Sequence, residues 1–225
     1  MDTILSKRLR LVADFIPKKS KLLDIGSDHA YLPIALVEAG HIDAAIAGEV
    51  VKGPFESAQK NIAASGLDQQ IEARLASGLA AMTLEDGITA ISICGMGGRL
   101  IAEILEAGKD KLEAVETLIL QPNNREDDLR RWLRDNDFSI QAEQILEENG
   151  KYYEIIQAVH GSASLNALDC RFGPFLLKEK SPIFIAKWQR ELDKLQYALS
   201  CVPEDNQLDR SAISQKIKTI EEIIS

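Results

Sequence analysis

The chain has 225 residues, with 26 Lys and Arg against 35 Asp and Glu for a formal charge of -9, and 45% of it is hydrophobic. A chain of this length buries a sizeable core without disulfide or metal staples, and it fits one ordinary domain plus something smaller. No apolar run approaches the ~20 residues that cross a bilayer, and the start MDTILSKRLRLVADF lacks the apolar core of a secretory signal, so a soluble, cytoplasmic protein is expected. Cys94, Cys170 and Cys201 are odd in number and form no C-x-x-C pair, which argues for reduced thiols and against a thiolate metal site.

Residues 5 to 15 set Leu5, Leu9, Val12 and Phe15 at helical spacing, an amphipathic helix ended by Pro17. Leu22 to Ile25 is a short apolar strand broken at Gly26, and Tyr31 to Ala39 is a helix with Pro33 in its first turn, where proline is tolerated. The unit repeats, with strands at 44–48 and 71–75 around a helix at 52–64. Strands at 88–93 and 116–120 then alternate with helices at 97–107 and 125–134. Such alternation predicts a parallel sheet with crossover helices.

Residues 138–147 and 151–159 break the pattern as two strands joined through Asn149-Gly150, a pair that tolerates the positive φ of a hairpin turn. A parallel sheet that ends in an antiparallel hairpin is a trait of class I methyltransferases. The small, polar stretch GSASLNALDCRFGP at 161–174 reads as a linker. Beyond it, apolar residues at intervals of three and four predict helices at 182–202 and 206–224, turned at Pro203 into an antiparallel helical hairpin.

Gly26 ends the first parallel strand, where open α/β sheets bind ligands. Asp28 stands where a dinucleotide fingerprint has its second glycine, and a carboxylate there repels a diphosphate and attracts an ammonium. A cofactor carrying an amino acid and a sulfonium therefore fits better than NAD or FAD. Glu49, 23 residues after Gly26 at the end of the second strand, suits hydrogen bonds from both ribose hydroxyls of an adenosine.

Asp24-Ile25-Gly26-Ser27-Asp28-His29-Ala30-Tyr31-Leu32-Pro33, Gly48-Glu49-Val50, Cys94-Gly95-Met96-Gly97-Gly98 and Gln121-Pro122-Asn123, in this order, resemble the bacterial TrmK family. Its members are S-adenosylmethionine-dependent tRNA methyltransferases that modify N1 of adenine 22. The resemblance spans essentially the whole chain. It implies a class I methyltransferase (Rossmann-like) α/β domain over residues 1–162 and a C-terminal helical hairpin over 163–225. It also implies S-adenosylmethionine as cofactor, tRNA as partner, no metal, and a monomer or weak dimer.

By this resemblance the cofactor-binding candidates are Asp24, Gly26, Ser27, Glu49, Val50, Ser77, Gly78, Leu79, Gly95, Met96 and Gly97. Ala76-Ser77-Gly78-Leu79 lacks the Asp that many class I enzymes carry before the glycine, which leaves a backbone carbonyl or Ser77 to recognise adenine N6. The candidates near the donor methyl are Asp28, His29, Tyr31 and Asn123: Asp28 or His29 to orient the base or accept its N6 proton, Tyr31 to stack on it. Cys94 is read as a small buried residue and not a nucleophile.

Charge is distributed unevenly. Residues 1–21 carry six basic and two acidic side chains, residues 22–170 carry 11 and 25, residues 171–194 carry six and three, and the tail carries three and five. The candidates for holding RNA phosphates are therefore Lys7, Arg8, Arg10, Lys18 and Lys19 at one end and Arg171, Lys187 and Arg190 at the other. Two other readings keep the same fold: a methyltransferase for a small molecule, which suits the acidic total, and a non-catalytic RNA-binding protein.

Overall fold

Strands buried on both faces need near-continuous apolar runs, and the centre of the sheet has them. In the computed structural model, which describes residues 5–162 and 164–225, these strands are β1 (Lys21–Ile25), β2 (Ala44–Glu49), β4 (Ala90–Met96) and β5 (Thr117–Pro122). They pair in parallel, with β3 (Ile71–Leu75) on the edge beyond β2. The antiparallel strands β6 (Phe138–Glu148) and β7 (Lys151–His160) complete a seven-stranded sheet in the order β3-β2-β1-β4-β5-β7-β6. The predicted alternation and the Asn149-Gly150 hairpin are both present, with both turn residues at positive φ.

The helices are α1 (Lys7–Phe15), α2 (Tyr31–Glu38), α3 (Lys52–Ser65), α4 (Gly98–Ala107) and α5 (Glu126–Asp135), followed by α6 (Ala167–Phe172), α7 (Pro174–Glu179), α8 (Pro182–Cys201) and α9 (Gln207–Ile224). Hydrophobic clusters fill both sides of the sheet. One contains Leu79, Ile101, Leu105 and Leu129, and the other contains Val12, Leu32, Ile34 and Ile62. A third, with Phe172, Leu176, Phe184, Trp188, Leu192 and Ile220, joins α6 to α9.

Two expectations shift. The fourth strand runs three residues past Ile93, because a register irregularity between Cys94 and Met96 lets Met96 still pair with Pro122. The stretch 161–174 is no linker over its second half. Asn166 and Asp169 cap α6 reciprocally, Gly173 turns the chain at φ +87°, and Pro174 opens α7. Few apolar residues mark this stretch, but Cys170 and Phe172 are fully buried. Residue 163, the expected start of the C-terminal unit, lies outside the described residues.

What holds α8 against the sheet is an ion cluster without water contact at its centre. Arg130 of α5, with no solvent exposure, donates to Glu143 of β6 at 2.7 Å, to Glu154 of β7 at 2.5 Å and to the Cys170 carbonyl. Lys187 of α8 donates to Glu154 at 2.6 Å and to Glu126 at 2.7 Å. Glu143 also accepts from the Phe175 amide. A Cβ at Gly173 would lie 2.7 Å from Arg130 and Glu143, so the chain there passes directly over the cluster.

Burial alone would raise the Glu154 carboxyl, but the Lys187 and Arg130 cations outweigh it and hold the group below its ordinary 4.5. A carboxyl lowered in the folded state stabilises the fold fully above that value and loses the contribution as pH falls below it. Thermal unfolding should therefore show a Tm that holds to about pH 5 and drops below pH 4.5. Glu154→Gln should lose about 3 kcal/mol at pH 7 by leaving the buried Arg130 and Lys187 with one carboxylate each, and should show a shallower acid limb.

Candidate functional site

The carboxyl ends of β1, β2, β4 and β5 meet at one rim. After β1 the chain enters four positive-φ residues out of five: Gly26 at +70°, then, past Ser27, Asp28 at +34°, His29 at +68° and Ala30 at +59°. Left-handed conformations are costly for residues with a Cβ and persist only where the surroundings hold them. Here Gly26 and Ser27 donate their amides to the Gly48 carbonyl, and the Asp28 amide donates to Glu49 Oε1 at 2.6 Å. Asn61 of α3 donates to the His29 carbonyl at 2.9 Å.

Asp24 anchors this loop from below. It is buried, and its carboxylate accepts from Ser27 Oγ and Ser92 Oγ, each at 2.6 Å, tying the loop to β4. Burial pushes its carboxyl up, against the two hydroxyl bonds that lower it. Asp24 and Ser27, expected to touch a cofactor, spend their side chains on each other.

Glu49 is 6% exposed, and among the described residues no cation pairs with it. A nearly buried carboxylate with only a backbone donor suits a vicinal diol. Val50 beside it is exposed. Asp28 and Tyr31 are exposed, and the His29 and Tyr31 rings stack at 5.2 Å between centroids and 27° between planes. His29 Nε2 lies 3.3 Å from Asp28 Oδ1.

Across the rim, Gln121 gathers the ends of β4 and β5. Its Oε1 accepts from the Gly95 amide at 3.0 Å and from the Arg8 guanidinium, and its Nε2 donates to Asn123 Oδ1 at 3.1 Å. Asn123 Nδ2 in turn donates to the Gly95 carbonyl at 2.6 Å. Gly95, at φ +77°, is thus held at both its amide and its carbonyl. Gly98 packs against the Arg125 carbonyl, which a Cβ would meet at 2.2 Å. Burial drives the Cys94 thiol far up, so it is no thiolate nucleophile.

Three candidates sit differently from expectation. Leu79 is buried in the core, and its carbonyl accepts from Lys111 Nζ at 2.8 Å and from the Met82 amide, so its side chain does not face a ligand. Arg8 points inward to Gln121 and stands 5.5 Å from the Tyr153 ring centre, which places it at the site rim, half-buried, and apart from the exposed cations. Lys187 is spent on Glu126 and Glu154. Lys7, Arg10, Lys18, Lys19 and Arg190 are exposed, Arg171 is half-buried, and Ser77 and Gly78 border a cleft of about 500 Å³ with Glu103 and Lys111. Sequence reasoning missed Gln121 as the hub and Tyr153 as the partner of Arg8. Gln121 could have been found, because a polar residue directly after the apolar run Leu118-Ile119-Leu120 is a signal.

Gly26 sits on a backbone at φ +70°, and a Cβ there would lie 2.3 Å from the Met96 methyl and force it aside. Gly26→Ala should cost about 1–3 kcal/mol in chemical denaturation, combining left-handed strain with displacement of Met96.

The family model of tRNA (adenine(22)-N(1))-methyltransferase, TrmK, matches residues 22–222. The Bacillus subtilis (strain 168) tRNA (adenine(22)-N(1))-methyltransferase is 41% identical over 98% of this chain and 97% of its own. A Streptococcus pneumoniae structure, Sp1610 in complex with S-adenosyl-L-methionine, is 56% identical with a TM-score of 0.94, covering 99% of this chain and 100% of that one. The structure of M. capricolum TrmK in complex with S-adenosyl-homocysteine is 30% identical with a TM-score of 0.87 over 98% of this chain and 97% of that one. By sequence along its whole length and by the superposition of its sheet and C-terminal helices, the chain belongs to the TrmK family.

Proposed function

We infer that this protein transfers a methyl group from S-adenosylmethionine to N1 of adenine 22 in tRNA and works in the cytoplasm. Beyond family membership, the observation that carries the reading is the acidic rim. Asp28 and Glu49 border the turn after β1, with the buried Asp24 bracing it from below, where a pyrophosphate-binding enzyme needs bare amides. This pair of acceptor carboxylates fits a cofactor with a ribose diol and a cationic amino-acid end. Glu49 would take the ribose hydroxyls, Val50 would lie against the adenine, and Asp28 would face the ammonium.

When bound, the cofactor supplies an electrophilic methyl on its sulfonium. Adenine N1 already holds a lone pair, so the protein's task is alignment, and alignment alone is worth several kcal/mol. N1 lies on the pairing edge, so the base must leave its stack to be reached. The stacked rings of His29 and Tyr31 offer a flat partner for it, and the Gly95 and Asn123 backbone and amide groups border the opposite side. Asp28 or His29 takes the proton that leaves N6. Lys18, Lys19, Arg171 and Arg190 would contact tRNA phosphates.

Labelled S-adenosylmethionine and an unmodified tRNA transcript should yield one modified nucleotide, mapped to position 22. No label in the RNA defeats the reading, and cofactor binding without transfer to any tRNA favours a non-catalytic RNA-binding protein. Glu49→Ala should weaken cofactor binding by roughly 10- to 100-fold in calorimetry, the worth of hydrogen bonds to a charged acceptor. Asp28→Ala or His29→Ala should lower kcat by roughly 10²-fold at saturating cofactor if it handles the proton. Unchanged rates in both would remove them from the chemistry.

A further inference from the structure

Beside the rim lies a second cleft, about 630 Å³ in volume, walled by the loop from Asn123 to Asp127, the β6–β7 turn at Gly150 to Tyr153, Arg171 of α6 and one face of α8. Its volume suits a nucleotide-sized ligand. Asn123 belongs to both sites: it lines this cleft, and its side chain donates to the Gly95 carbonyl. A ligand that fills the cleft therefore adjoins whatever sits at the rim.

The lining cations are not equivalent. Lys187 is consumed by Glu126 and Glu154, and Lys194 lies 3.5 Å from Glu191. Asp127 is taken up by Arg131, so the acidic residues of the wall each have a cation beside them. Arg171 has no carboxylate partner among the described residues. Its guanidinium lies 5.2 Å from the Trp188 ring centre and 5.8 Å from that of Phe172. Guanidinium planes laid on aromatic rings keep their in-plane N–H fork available for a bidentate anion. Lys151 and Arg190 likewise lack a carboxylate, although Arg190 donates to the Gly150 carbonyl.

The floor of the cleft adds an independent sign. Trp188 is 5% exposed, and its indole N–H is the one buried side-chain nitrogen or oxygen without a partner among the described residues. Buried donors are almost always paired, so one left open asks for an explanation. The half-buried Tyr152 and Tyr153 stand in the same wall. Free cations interleaved with aromatic rings are the combination that holds single-stranded nucleic acid by phosphate and base.

We propose that this cleft is a subsite for a nucleotide adjacent to the target adenine, with its phosphate on Arg171 and its base against Tyr152 of β7, which shares the α8-facing side of the strand with Glu154. The proposal rests on the tRNA-methylating reading above and adds to it a defined path for the strand. The substrate RNA runs from the rim at Gly95 past Asn123 into the cleft, and the target base is held extruded by gripping its neighbour.

The test uses the full-length protein with an unmodified tRNA transcript. Trp132→Phe leaves Trp188 as the only tryptophan, and its emission should change as tRNA is titrated. Arg171→Ala should raise the tRNA Kd and KM by about tenfold while kcat and cofactor affinity hold, and should flatten the salt dependence of binding by about one unit. Arg171→Lys should keep the wild-type salt slope with a smaller loss of affinity, because the charge stays and the fork is lost. Tyr152→Ala should raise KM by roughly tenfold with the salt slope unchanged, as loss of a stacking partner does. If Arg171→Ala, folded by its cofactor binding, keeps wild-type affinity and salt slope, or if Trp188 emission ignores tRNA, the subsite is wrong while methylation by the wild-type enzyme still stands. Failure of the wild-type protein to bind or methylate tRNA would overturn both.

Discussion

Arg130 is the constraint on which the C-terminal half depends. A guanidinium with no exposure is tolerable only when its charge is met, and Glu143 and Glu154 meet it from two adjacent strands. Glu154 is thereby doubly engaged and draws Lys187 of α8 into the same cluster, and Lys187 reaches Glu126 at the start of α5. One chain of alternating charges thus runs from the sheet edge through α8 to the loop that carries Asn123. The position of the helical unit and the position of the rim are set by the same ions. Apolar packing of Phe172, Phe184 and Trp188 supplies area, but it does not fix direction as charge-assisted hydrogen bonds do.

At the other end of the site the same logic operates with neutral partners. Three non-glycine residues in left-handed conformation within one loop represent stored strain. The strain is held by the Asp24 carboxylate under Ser27, by Glu49 under the Asp28 amide and by Asn61 under the His29 carbonyl. The acidic residues of the motif therefore have two tasks. Asp24 is committed to the fold. Glu49 gives one oxygen to the loop and still faces a site that suits a diol. The loop geometry that brings His29 and Tyr31 together follows from these bonds.

Much of this was legible in the sequence. The parallel order, the terminal hairpin and the helical pair all follow from periodicity and from Asn149-Gly150, because those features depend on local residues. The capped helices of 167–179 were not legible, since their burial depends on Arg130 and Glu143, which are distant in sequence. Among the site residues, glycines and acids at strand ends could be placed in advance, because strand ends are where an α/β sheet exposes its backbone. The inward turn of Arg8 could not, because it depends on Gln121 and Tyr153, more than a hundred residues away.

The uneven charge of the chain takes on a different meaning once partners are known. A count by segment makes residues 171–194 basic, yet the six cations there differ sharply in what they can still do. Desolvation rewards Lys187 for staying with two carboxylates, and removing it to serve a phosphate would leave Glu154 buried with half its compensation. Arg171 stands over the Trp188 and Phe172 rings with no carboxylate beside it among the described residues, so an incoming phosphate costs it no existing ion pair. Affinity for a polyanion is carried by cations in the second state. An acidic protein holds a polyanion through those cations that its own carboxylates leave unpaired, so the segment's formal charge overstates what is available and Arg171 is where the difference shows.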